Sequence, residues 1–168
     1  MSSFKLPYEC MLETGGYRVV FKFLGMTTDD VLNEMTFDTA IALSIHADNS
    51  KYQIEIKDCE LSANTLSNLA DYFDTHIDNL ADDPDTIAPP FVNPGLSFQL
   101  QALIGEAWFD EKTERVVGGF ALRFNVNAGE GYDSTNVYIG AEAQVLIRQV
   151  REFTKALRNF LTKIENRQ

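Results

Sequence analysis

The sequence predicts an α+β fold: a mostly antiparallel sheet of about six or seven strands with two main helices packed on it. Three observations carry this. Several segments alternate apolar and polar residues and are joined in pairs by turn residues. Two longer segments, near 63–80 and 141–164, repeat apolar residues at helical spacing. At 168 residues, 45% hydrophobic and 11% aromatic, the chain is long enough for one substantial core, so a single domain over 1–168 is expected.

The elements follow in order. Residues 4–12 read as a ragged first strand, and Glu13-Thr14-Gly15-Gly16 is a turn signal. Tyr17 to Leu24 alternates, with Tyr17, Val19, Phe21 and Phe23 on one face, which completes an opening hairpin. Residues 25–38 read as a polar connection with a helical turn after Thr28. Thr39 to His46 and Lys51 to Lys57 form a second hairpin around Asp48-Asn49-Ser50. Ser62 reads as an N-cap, after which Leu66, Leu69, Phe73, Ile77 and Leu80 make a core-facing stripe. Asp71, Asp74 and Asp78 fall away from that stripe, so the helix is apolar inside and acidic outside.

Four prolines between Asp82 and Pro94 exclude helix and central strand, which predicts a long acidic surface loop. Leu96 to Trp108 and Phe120 to Asn127 make the longest hairpin, with a bulge expected at Gly105. A Gly-rich turn over 127–134 and a short last strand over 135–139 follow. From Ala141 to Ile164, Ala143, Leu146, Val150, Phe153, Leu157, Phe160, Leu161 and Ile164 share one helical face, with Arg148, Arg151, Lys155 and Arg158 opposite. Strand, strand, helix occurs twice, loosely, without a sequence repeat.

Charge is the one feature that points outward. The net charge is -11, yet residues 141–168 carry +3 and the first 140 carry -14. Between Lys57 and Lys112 there is no Lys or Arg, while eleven acids occur there. A phosphate-binding footprint is missing, which argues against nucleic acid and against anionic membranes. A basic protein partner fits, because a field of this sign steers it on approach. The candidate partner-binding residues are Asp71, Asp74, Asp78, Asp82, Asp83 and Asp85. Solubility alone is the competing explanation of the same charge.

Motifs of catalysis are absent. His46 and His76 have no Cys or second His at ligand spacing, so no zinc site and no cofactor is expected, and both read as structural or surface residues. Val117-Gly118-Gly119 and the Asn127 to Gly131 segment match no phosphate-binding loop and read as bulge or turn. Asp78, Asp82, Asp83 and Asp85 do not fit a calcium loop. Glu106 with Asp110 offers a carboxylate pair, but nothing selects it over a solvated turn. No apolar run reaches membrane length and no secretory leader is visible, so a cytoplasmic protein is expected. Cys10 and Cys59 are too few for a disulfide scaffold.

The order of elements resembles bacterial immunity proteins of the WapI type. The similar points are the opening hairpin around Gly16-Tyr17 and Phe37-Asp38 entering the strand Ile41 to Ile45. Next come Glu60-Leu61-Ser62 before an acidic helix, the segment Phe91 to Leu100, and a long last helix. The resemblance covers most of the chain and lies in pattern. It implies an intracellular, antitoxin-like, non-catalytic binder that occludes a basic toxin through its acidic surface. Two other readings stay open at this point: a small-molecule-binding or enzymatic domain with a pocket between helix and sheet, and a structural or assembly subunit.

Overall fold

The structure, a computed structural model, describes residues 6–29, 34–47, 50–129 and 136–166. Four strands and a helix occur twice in succession. The first half is β1 (Tyr8–Glu13), β2 (Tyr17–Asp29), β3 (Glu34–Ala47), β4 (Ser50–Ser62) and α1 (Ala63–Asp82). The second is β5 (Phe91–Val92), β6 (Phe98–Asp110), β7 (Arg115–Asn127), β8 (Tyr138–Leu146) and α2 (Ile147–Glu165). Each set of strands forms its own antiparallel meander, in the order β1-β2-β3-β4 and β5-β6-β7-β8. The α+β class holds. The expected single sheet of six or seven strands is replaced by two sheets of four, because α1 and the proline-rich segment separate β4 from β6.

Three sequence expectations are corrected. The stretch 25–38 is not a polar connection with a helical turn: β2 continues to Asp29 and β3 begins at Glu34, with Thr27 paired to Thr36 through both backbone and hydroxyl groups. Residues 30–33 lie outside the described residues, as do Asp48, Asn49 and residues 130–135 of the two predicted turns. The last strand is not short, and the last helix does not begin at Ala141. Residues 141–146 instead complete β8, in register Leu122↔Ala143 and Phe120↔Val145. Their helix-forming composition yields to the ladder that β7 offers. Third, the proline-rich segment contributes the two-residue strand β5, at a sheet edge where proline is tolerated.

Both sheets and both helices share one core. Phe21 of β2 makes edge contacts with Phe98 of β6 and Phe124 of β7 and packs on Phe153 of α2. Phe160 of α2 stacks on Phe23 at 4.1 Å between ring centres. The helices are exchanged between the halves: α1 rests on β3 and β4 of its own half but more extensively on β6, while α2 reaches back to β1. Ser62 caps α1 as expected, accepting from the Thr65 amide at 3.1 Å. Among the described residues, no helix is long and apolar enough to cross a membrane.

Candidate functional site

The site grows out of an irregularity in β6. Pairing with β7 slips between Ala102 and Gly105, the bulge the sequence predicts. A bulge frees backbone groups, and they find partners outside the ladder. The Ala102 amide donates to the Tyr72 hydroxyl at 2.9 Å, and His76 Nε2 bonds the Leu103 carbonyl at 3.0 Å. Tyr72 and His76 are one turn apart on α1, so a single helix face staples the bulge. The Ala102 carbonyl accepts from Ala88, and the Gly105 amide donates to the Pro84 carbonyl. The proline-rich segment is thereby laid along the edge of β6.

His76 is buried and stacks edge-on against Phe120. Because a carbonyl can only accept, Nε2 carries the proton of the neutral ring. Burial lowers its pKa, partly offset by that hydrogen bond. Both expectations of ordinary histidines fit what is seen: His76 is a structural staple, and His46 is exposed, 3.9 Å from the Glu13 carboxylate.

Beyond the bulge, β6 and β7 run on past the end of β8, and their outer face forms a groove of about 690 Å³. Its floor is Gly118 and Gly119, beside Gly105. Gly118 has φ +126°, and a Cβ there would run into the Glu106 carbonyl. With no side chains on the floor, the groove stays open. Ile104, Trp108 and Leu146 form its apolar walls, and Glu106 and Asp85 line it with carboxylates. Trp108 is the chain's only tryptophan and is 52% exposed.

The six predicted aspartates divide into groups. Asp71 and Asp74 are both held by Arg158 of α2, at 2.9 and 2.7 Å. Asp78 lines the cleft between the two helices, across from Arg151 and Lys155. All three lie off the core stripe, as the sequence predicts, with Asp71 and Asp78 exposed, and what the structure adds is the basic face of α2 beside them. Asp82, Asp83 and Asp85 are exposed and unpaired. Asp83 Oδ1 accepts from the Asp85 amide at 3.0 Å, which fixes the turn that presents Asp85 to the groove. Glu106 and Asp110 do not act as a pair: Asp110 caps the β6–β7 turn, and the Thr113 and Lys112 hydrogen bonds hold its pKa below the usual carboxylate value.

The sequence reading missed Trp108 and Leu146 as site residues. Trp108 was legible as a strand residue but not as an exposed one. Leu146 was placed in the helical core stripe; as the N-cap of α2, at the strand end, it is 44% exposed instead. Among the described residues, no three His, Cys, Asp or Glu side chains converge as metal ligands. No family model matches the chain, and neither a curated protein nor a solved structure matches it.

Proposed function

We propose that this chain is a non-catalytic binding protein of the immunity kind, which occludes a basic partner protein, a toxin, through its acidic side. The observation that carries the reading is the groove at the end of β6 and β7. There a half-exposed indole stands with two carboxylates over a floor of bare backbone. A Lys or Arg side chain entering it meets an aromatic face for its cation and carboxylates for its hydrogen bonds. Asp82 and Asp83 extend the same charge along the approach. A non-catalytic role is supported by the histidines, since one is locked to backbone and the other lies on the far sheet.

The test uses the partner captured by the chain, with association followed by Trp108 emission. Changing Asp82, Asp83 and Asp85 to Asn together with Glu106→Gln should slow association and flatten its dependence on salt. Asp71→Asn with Asp74→Asn should do less, because Arg158 already answers those charges. Equal rates and equal salt slopes for wild type and the four-fold variant would reduce the acidity to solubility and end this reading.

A further inference from the structure

Beyond Gly118 and Leu146, which also line the Trp108 groove, the edge of β7 faces α2, and there the charge is opposite. Between the hairpin and α2 lies a groove of about 430 Å³. Val116, Val117 and Leu146 contribute its apolar surface, and Arg115, Arg148, Arg151 and Lys155 surround them, with Glu152 the one acid in the lining. Arg148, Arg151 and Lys155 fall at i, i+3 and i+7 of α2, one helix face.

These cations are conspicuous for what they do not touch. Of the six described arginines, Arg18, Arg123 and Arg158 are ion-paired, to Glu13, Glu142 and the Asp71–Asp74 pair. The three without an ion pair are Arg115, Arg148 and Arg151, and all three line this groove. Lys155, also without an ion pair, joins them. Arg148 also stands in the first turn of α2, where the helix dipole is positive and no acid is present. Cations there lower helix stability. In a chain of net charge -11, four cations without an ion pair thus gather around one apolar surface, although Arg151 and Lys155 also line the cleft that holds Asp74 and Asp78.

We infer that this groove is a docking site for a short acidic peptide segment of a partner protein, with an apolar side chain flanked by carboxylates. Arginine matches carboxylates in bidentate fashion, and the Val117 and Leu146 surface takes the apolar anchor. A single-headed amphiphile leaves most of the four cations unanswered. A nucleic acid carries its charge far beyond the groove, onto the acidic body, where it is repelled. A second copy of the chain brings its own large negative charge with it. A short acidic segment meets none of these objections. This groove adjoins the Trp108 groove, with Gly118 and Leu146 common to both, but its charge is of the other sign and the inference does not rest on the reading given for that groove.

The test is fluorescence anisotropy with a labelled peptide, Glu-Glu-Phe-Glu-Leu-Glu, its Gln-for-Glu counterpart, dodecanoate as competitor and a 12-base-pair DNA duplex. The acidic peptide should bind, more weakly as salt rises. Arg148→Ala with Arg151→Ala, both exposed, should weaken it by at least about tenfold, since charge-assisted hydrogen bonds are lost. Lys51→Ala, on β4, should leave it unchanged. Absence of binding, equal weakening by Lys51→Ala, or equal affinity for the Gln peptide overturns the proposal. So does DNA binding as tight as the acidic peptide, or displacement of the peptide by dodecanoate at comparable concentration. A dimer in sedimentation that Arg148→Ala with Arg151→Ala dissociates would give the groove to self-association and overturn it equally.

Discussion

The Tyr17 hydroxyl donates a 2.8 Å hydrogen bond to the Leu122 carbonyl, and with it the first sheet grips the backbone of the second. The two residues are 105 positions apart, and both are fully buried. Nearby, the Gly15 amide donates to the Gln144 carbonyl at 2.8 Å, so the turn between β1 and β2 is tied to β8 as well.

Removing the hydroxyl by Tyr17→Phe leaves the ring in place and deprives Leu122 of a partner. The loss should be about 1 kcal/mol, within the usual range for a buried hydrogen bond. Urea denaturation should show a lower midpoint with an unchanged slope. A midpoint equal to that of wild type would mean that this bond contributes nothing to the joining of the sheets.

Gly118→Ala tests the groove floor. The new Cβ meets the Glu106 carbonyl, and φ +126° is itself unfavourable for an L-residue. Destabilisation should exceed about 2 kcal/mol, with Trp108 emission altered because the hairpin must shift. A variant as stable as wild type would show that the β6–β7 crossing is looser than the structure describes.

His76 gives a pH dependence whose sign is set. Its pKa in the folded chain is lowered by burial, so the unfolded chain takes up a proton first as pH falls. The stabilisation is present in full above about pH 6.5, the unperturbed value, and is lost as pH falls through the folded value. The urea midpoint should therefore drop between pH 7.5 and 5.5 in wild type, and drop less in His76→Gln. Parallel pH curves for the two proteins would contradict the assignment.

Both cysteines should be silent in the folded chain. Burial pushes the Cys10 thiol up to about 12 and also raises that of Cys59, whose burial outweighs its hydrogen bond with Ser97. The thiolate is the reactive form, and neither sulfur is accessible. An aromatic disulfide reagent at pH 8 should label neither thiol until denaturant is added, and then both. Rapid labelling of the native chain would refute this.

What was legible in the sequence had a local cause. Ser62 announces α1 because a hydroxyl before an apolar stripe satisfies an orphan amide. Gly105 announces a bulge because alternation breaks there. What was not legible depended on distant partners. Lys57 looked like the end of a strand because a bulge there places Asp58 at φ +57° and shifts the alternation; β4 resumes and runs on to Ser62. Met26, Thr27 and Thr28 looked like a connection because they are exposed, and the apolar face of that end of the hairpin comes only from Met35 and Phe37 on the other strand. Ala141 to Leu146 looked helical until β7 was there to pair with. Asp82, Asp83 and Asp85 could be read as exposed acids, but that only Asp85 of the three lines the groove could not. The turning of Asp71 and Asp74 toward Arg158 could not, because the two helices meet only in three dimensions.

The exchange of helices between the halves bears on how the chain is born. The first sheet leaves the ribosome with Phe21, Phe23 and Phe37 facing inward, but the rings that cover them, Phe98, Phe124, Phe153 and Phe160, come from the second half. At about 5–20 residues per second, the stretch from the end of β4 to the end of α2 takes roughly 5–20 s to synthesise. Through that interval only α1 is at hand to cover part of the first sheet. The second half is, in effect, the chaperone of the first, since it brings the rings that close over that sheet.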